Sequence, residues 1–128
     1  MIIDKSTFDE NGQLREGPFR QNFTDGKLFV EGQHLAGQRS GVWKVYLRSG
    51  QLKATGPFLD HKMHGEWTWF SKDGALVQVG SFDNDEMQTG KWMRYHANGQ
   101  IKEIDQFVKG KKVAKRLLFD ENGQELTK

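Results

Sequence analysis

Residues 41–58 read GVWKVYLRSGQLKATGPF. Apolar and polar side chains alternate on either side of Ser49-Gly50, the pattern of two half-buried strands joined by a tight turn. Glycine supplies the positive φ such a turn needs, which other residues reach only with strain. The same frame recurs at 17–34 as GPFRQNFTDGKLFVEGQH, at 65–82 as GEWTWFSKDGALVQVGSF and at 90–107 as GKWMRYHANGQIKEIDQF. The turn glycines Gly26, Gly50, Gly74, Gly99 and Gly123 are spaced 24, 24, 25 and 24 residues apart, with one inserted residue in the third interval. A fixed period in this range marks a repeat architecture.

Five columns carry the period. Gly17, Gly41, Gly65 and Gly90 open each unit, with Ala114 at the next place. Two positions on stand Phe19, Trp43, Trp67 and Trp92, then Arg116. Tyr46, Phe70, Tyr95 and Phe119 form a third column, broken by Asn22, and Leu28, Leu52, Leu76 and Ile101 a fourth. The fifth holds His34, Phe58, Phe82 and Phe107.

Each unit predicts one β-hairpin. A two-residue turn at Ser49-Gly50 pairs Val45 with Ala54, Trp43 with Gly56 and Gly41 with Phe58. Trp43, Val45, Leu47, Leu52, Ala54 and Phe58 then share one face, and Lys44, Tyr46, Arg48, Gln51, Lys53 and Thr55 the other. In this register Trp43 faces Gly56 and Trp67 faces Gly80, so each ring can cover a glycine of its own unit; Trp92 faces Asp105, where the device fails. A three-residue turn with a glycine bulge is the competing geometry, and it sets Tyr46 beside Leu52.

Successive hairpins on short linkers pair as an antiparallel meander, because parallel pairing needs a long crossover. The expected fold is all-β: an elongated, twisted single sheet in one domain of residues 1–128. Its parts are a short terminal unit 1–16, units of about 17–40, 41–64, 65–89 and 90–113, and a degenerate half-unit 114–128. Phe8-Asp-Glu-Asn-Gly12-Gln repeats Phe119-Asp-Glu-Asn-Gly123-Gln, yet Gly12 lies out of frame, only 14 residues before Gly26. No segment has the caps and apolar stripe of an ordinary helix.

Composition agrees. Hydrophobic residues at 35% are too many for a disordered tail and few for a thick globule, and 15 glycines beside 2 prolines fit abundant turns. The absence of cysteine removes disulfides, thiolate nucleophiles and cysteine-based metal sites. A net charge of +2 does not by itself call for nucleic acid or anionic lipid. The only apolar run at the N-terminus is Met1-Ile2-Ile3, shorter than a signal peptide needs, so a cytoplasmic location is expected.

The pattern G-x-W-x-x-Y-x-x-N-G-x-L-x-x-x-G-x-F, with His64-Gly65 at a unit boundary, resembles the MORN repeat variant of bacterial antitoxin-like proteins over about residues 17–126. That resemblance implies a hairpin-repeat fold and a non-catalytic, protein-binding role, with a toxin as the neutralised partner. It assigns the matching residues to the scaffold and carries no catalytic site.

Beyond the scaffold, four features are candidates. His61 and His64 are the one close histidine pair, but a metal needs further ligands and outer support, so no metal and no cofactor are expected. Asp83, Asp85 and Glu86 crowd the linker that holds the inserted residue; a solvated loop does not tune a general acid, which leaves a solubilising turn or a contact for a basic partner. Lys109 to Arg116 is an acid-free basic run. Its Lys111, Lys112, Lys115 and Arg116 could meet an acidic protein surface or guard the last strand. Trp69 has Val45 and Arg94 at its column positions, so it is a local core variation or an interface anchor. A protein partner is expected ahead of an anionic membrane or scaffold role, nucleic acid is not expected, and an enzyme would need a pocket that an open sheet lacks.

Overall fold

The computed structural model describes residues 7–126. The strands are β1 (Gly17–Asn22), β2 (Leu28–Leu35), β3 (Gln38–Tyr46), β4 (Leu52–Leu59), β5 (Lys62–Met63), β6 (Gly65–Phe70), β7 (Leu76–Phe82), β8 (Gln88–Tyr95), β9 (Ile101–Val108), β10 (Lys111–Lys112) and β11 (Leu117–Leu118). All pair antiparallel in one open sheet of order β1-β2-β3-β4-β6-β7-β8-β9-β10, with β5 beside β4 and β11 beside β9. No helix occurs among the described residues.

The register predicted for the two-residue turn holds through most of each hairpin. Gly41 pairs with Phe58, Trp43 with Gly56 and Val45 with Ala54. The turn itself is the other geometry. Leu47 N–H donates to Gln51 O at 2.9 Å and Gly50 N–H to Leu47 O at 2.9 Å, with Gly50 at φ 94°, which is a three-residue turn closed by a glycine bulge. Tyr46 accordingly pairs with Leu52. A second bulge at Lys53 takes up the slip, and the strands return to the register that buries Trp43. Phe23–Lys27, Ser71–Ala75 and His96–Gln100 close in the same way.

Two-residue turns lie instead between the units. Ala36-Gly37, Asp60-His61 and Lys109-Gly110 all have positive φ at both residues, as type I′ turns require. The third linker along the chain explains the inserted residue. Asp83 N–H donates to Met87 O at 2.8 Å and Glu86 N–H to Asp83 O at 3.0 Å, so this turn has three residues, with Glu86 at φ 62° in the place glycine takes elsewhere. Both FDENGQ segments form this same turn, but on opposite edges of the sheet. The first sits on the linker edge, where Arg15 O accepts from Gly37 N–H at 2.9 Å; the second sits on the hairpin-turn edge, where Glu121 O accepts from Asn98 Nδ2 at 2.8 Å. That difference is why the first is out of frame.

The indoles correct the expected packing. Each lies on a glycine of the preceding unit rather than its own: a Cβ added to Gly32, Gly56 or Gly80 would fall inside the rings of Trp43, Trp67 and Trp92 respectively. The cause is a kink at the opening glycine. Glu31 pairs with Lys44 and Gln33 with Ser40, so Gly41, Val42 and Trp43 all stand opposite Gly32. Gly41, Gly65 and Gly90 reach φ 70°, 69° and 72° there. The wide bulge swings each ring back across the neighbouring strand. The indole N–H groups then donate to Ser40 O at 3.1 Å, Pro57 O at 2.8 Å and Ser81 O at 3.1 Å.

These contacts build one aromatic row in place of a second layer. Trp43, Trp67 and Val30 are fully buried, and Val45, Ala54, Phe58, Trp92 and Phe107 nearly so. Ring centroids run Trp43–Phe58 at 5.6 Å, Phe58–Trp67 at 5.3 Å, Phe82–Trp92 at 5.2 Å and Trp92–Phe107 at 6.1 Å, mostly edge-to-face. At the C-terminal end the pair changes character. Asp105 replaces the covered glycine and Arg116 the covering indole, with Arg116 Nε 3.0 Å from Oδ1 and Nη2 3.1 Å from Oδ2. Asp105 is buried, and this bidentate pair continues in ionic form the contact that tryptophan and glycine make elsewhere.

Candidate binding surfaces

Trp69 lies on the aromatic face, since it follows Trp67 by two residues in β6. Its ring is 5.5 Å from Trp92 and 6.3 Å from Trp67 between centroids, and it stays half-buried. It fills the row and still shows part of its ring to solvent. Across the strands Trp69 pairs with Gln78, Gln78 with Arg94 and Arg94 with Glu103. The aromatic face therefore turns polar towards its C-terminal end, where a cleft of about 200 Å³ lies among Gln78, Arg94, Glu103 and Arg116 over Trp92. The sequence motifs did not single out this cleft. Its signal was present in two departures, Asp105 and Arg116, spaced eleven residues apart like Gly32 and Trp43.

The basic run divides into two sets. Arg116 and Lys112 turn inward to Asp105, Lys112 Nζ standing 3.9 Å from Oδ1, and Arg116 Nη1 is 3.9 Å from Glu103 Oε1. The hydrogen bond to Asp105, followed by the charges of Glu103 and Asp105, raises the pKa of Arg116. Both side chains are engaged with Asp105 while staying about half exposed, at 44% for Arg116 and 51% for Lys112, so their charge is partly committed within the fold. Lys109, Lys111 and Lys115 are exposed and make no ion pair among the described residues.

The acidic linker divides similarly. Asp83 Oδ1 accepts from Asp85 N–H at 2.9 Å and from Met87 N–H at 3.0 Å, which closes the turn, and Glu86 Oε2 accepts from Met63 N–H at 2.9 Å. Asp85 points its exposed carboxylate outward from the same turn. The neighbouring linker turn is Lys109-Gly110: Gly110 N–H donates to Gln88 O at 3.0 Å, and Met87 packs on Gly110. The acidic and basic turns are thus adjacent on one edge, while Trp69 belongs to the aromatic face.

His34 and His61 do structural work. His61 Nδ1 accepts from Arg39 N–H at 3.1 Å, which fixes its tautomer, and His61 O accepts from Arg39 Nη2 at 3.3 Å. Among the described residues no three His, Cys, Asp or Glu side chains converge as metal ligands would. His34 takes the phenylalanine place in its column and is buried edge-on between Phe19, at 4.9 Å, and Trp43, at 5.3 Å. Burial, with Arg15, His61 and Arg39 nearby, lowers its pKa to about 4 and keeps it neutral. On the opposite face Tyr46 donates to Glu31 at 2.6 Å; burial first, then that carboxylate, pushes the phenol up to about 12.

The model of the MORN repeat variant matches residues 39–60, 63–84 and 88–109, just over half of the sequence. The chain belongs to the MORN repeat variant family. Each matched MORN stretch begins in a strand just after an inter-unit turn and runs through the hairpin to the next such turn. No curated protein sequence matches the chain. The MORN sheet is similar in fold to a crystal structure of an S. aureus TarM mutant in complex with fondaparinux, alpha-GlcNAc-glycerol and UDP. The TM-score is 0.51 and the identity 16%, over 75% of this chain and 19% of that one. At that identity the likeness concerns the fold alone.

Proposed function

We propose that this chain is a non-catalytic binding module with a protein partner, and that it acts as a bacterial antitoxin or immunity protein occluding a toxin in the cytoplasm. The observation that carries the reading is a division of labour inside the repeat. Recurring side chains are spent on the aromatic row, the glycine contacts, the turns and the exposed Leu35–Leu59–Val108 column beside the linker turns, whereas other exposed positions such as Val42, Glu66 and Lys91 differ from unit to unit. A scaffold that repeats beneath a surface that does not is the arrangement by which repeat proteins present specific binding faces. Trp69, Lys111 and Lys115 belong to that variable set: a half-buried aromatic suits an interface anchor, and unpaired lysines suit an acidic rim.

The experiment is affinity capture from native lysate with the wild-type chain and with the Trp69→Ala, Lys111→Gln, Lys115→Gln variant, checked for an unchanged circular dichroism spectrum. Recovery of one protein by the wild type and its loss by the variant is the expected result. Equal recovery of the same protein at every salt concentration would refute the assignment of these residues.

A further inference from the structure

We infer that the linker edge formed by residues 83–87 and 108–111 binds a second copy of this chain about a two-fold axis. Linker turns recur every second strand, so neighbouring ones stand about 10 Å apart along the edge. One of this pair is acidic, with Asp85 exposed beside Asp83 and Glu86, and the other is basic, with Lys109 and Lys111 exposed. No ion pair joins the two turns within the chain among the described residues. Each turn also bares one large apolar side chain, Met87 at 45% and Val108 at 54% exposure, and Leu59 on the next turn is 48% exposed. An acidic and a basic turn side by side are complementary to the same pair rotated by 180°. An axis between them sets each Asp85 against the partner copy's lysine turn and brings the apolar side chains together. Such an isologous contact closes on itself and stops at two copies.

Two turns per copy form a small contact, well under the area of a stable dimer, so association is weak and fades with salt. It goes beyond the protein-binding reading and is measured on the purified chain alone, so neither result decides the other.

The test is sedimentation equilibrium at low and high salt up to about 1 mM protein, a range suited to weak dimers. The wild type is expected to dimerise at low salt and dissociate at high salt. Lys109→Glu/Lys111→Glu faces acid with acid and Asp85→Lys faces base with base, so each variant alone is expected to bind at least about tenfold more weakly, a change of only about 1.4 kcal/mol. Mixed in equal amounts, the two restore both contacts and associate as a heterodimer. These substitutions lie at exposed positions in the turns or, for Lys111, in the short strand β10 beside one, and thermal melts confirm that each variant is folded. A wild type that stays monomeric, a mixture that fails to associate, or an edge whose lysines bind anionic vesicles with the chain still monomeric would overturn the inference.

Discussion

Gly56→Ala isolates the contact that organises the sheet. Gly56 has ordinary extended backbone, so alanine costs nothing in φ; the whole penalty is steric, because the new Cβ falls within the Trp67 ring. That ring cannot slide away. Its N–H is held by Pro57 O at 2.8 Å, Phe58 stands 5.3 Å off edge-on, and none of the residue is exposed. Mild overpacking costs about 1–3 kcal/mol, and losing a buried tryptophan about 3–5 kcal/mol. A displaced indole puts Gly56→Ala near the boundary, at about 3 kcal/mol. Trp67→Ala should cost about 3–5 kcal/mol on the same scale. The double variant should cost little more than Trp67→Ala, giving a coupling of about 2–3 kcal/mol in a double-mutant cycle. Urea melts followed by far-ultraviolet circular dichroism measure it without relying on tryptophan emission. A cost below about 0.5 kcal/mol, the range of indifferent substitutions, would refute the reasoning. So would coupling to Trp43, the cross-strand partner, in place of Trp67.

Three other outcomes follow. His34 titrates near 4 when folded and near 6.5 in the unfolded chain, so the unfolded state takes up its proton first as pH falls. Its contribution is whole above about pH 6.5, is lost progressively towards pH 4 and levels off below; the full shift bounds it at about 3 kcal/mol, and urea melts of His34→Phe should lack this part of the slope. Arg116→Ala should lower the melting temperature by stranding buried Asp105, while Asp105→Gly with Arg116→Trp, which restores the pair used in other units, should melt above either single variant. Gly50→Ala meets no neighbour but requires φ 94°, so a loss of about 1 kcal/mol is expected in the same melts, well below that of Gly56→Ala.

Much of this architecture was legible in the repeat. The period gave the hairpins, and strand alternation placed Trp43, Val45, Ala54 and Phe58 on one face, as the structure has them. The turn type was not legible, because Ser49-Gly50 suits either a two-residue turn or a glycine bulge, and only the compensating bulge at Lys53 reconciles the turn with the register. The glycine under each indole was misplaced for a related reason. Cross-strand pairing within a hairpin can be counted along the chain, but the kink at Gly41, Gly65 and Gly90 acts between hairpins and moves the ring to the other side. For the candidate surfaces, residue type and position were legible while availability was not. Lys112 and Arg116 look like Lys111 and Lys115 in sequence, and only the buried carboxylate of Asp105 separates charges paired within the fold from those that are not.

The most direct test of the account is the nuclear magnetic resonance spectrum of the glycine Hα protons. Rings lying flat on Gly32, Gly56 and Gly80 should shift an Hα of each strongly upfield, and leave Gly50 and Gly99, which have no ring against them, at ordinary positions. Replacing Trp67 should return Gly56 alone to its ordinary position, as Trp43 does for Gly32 and Trp92 for Gly80. Unshifted resonances, or a Gly56 shift that vanishes with Trp43 and survives the loss of Trp67, would contradict the stacking of each unit on the one before it.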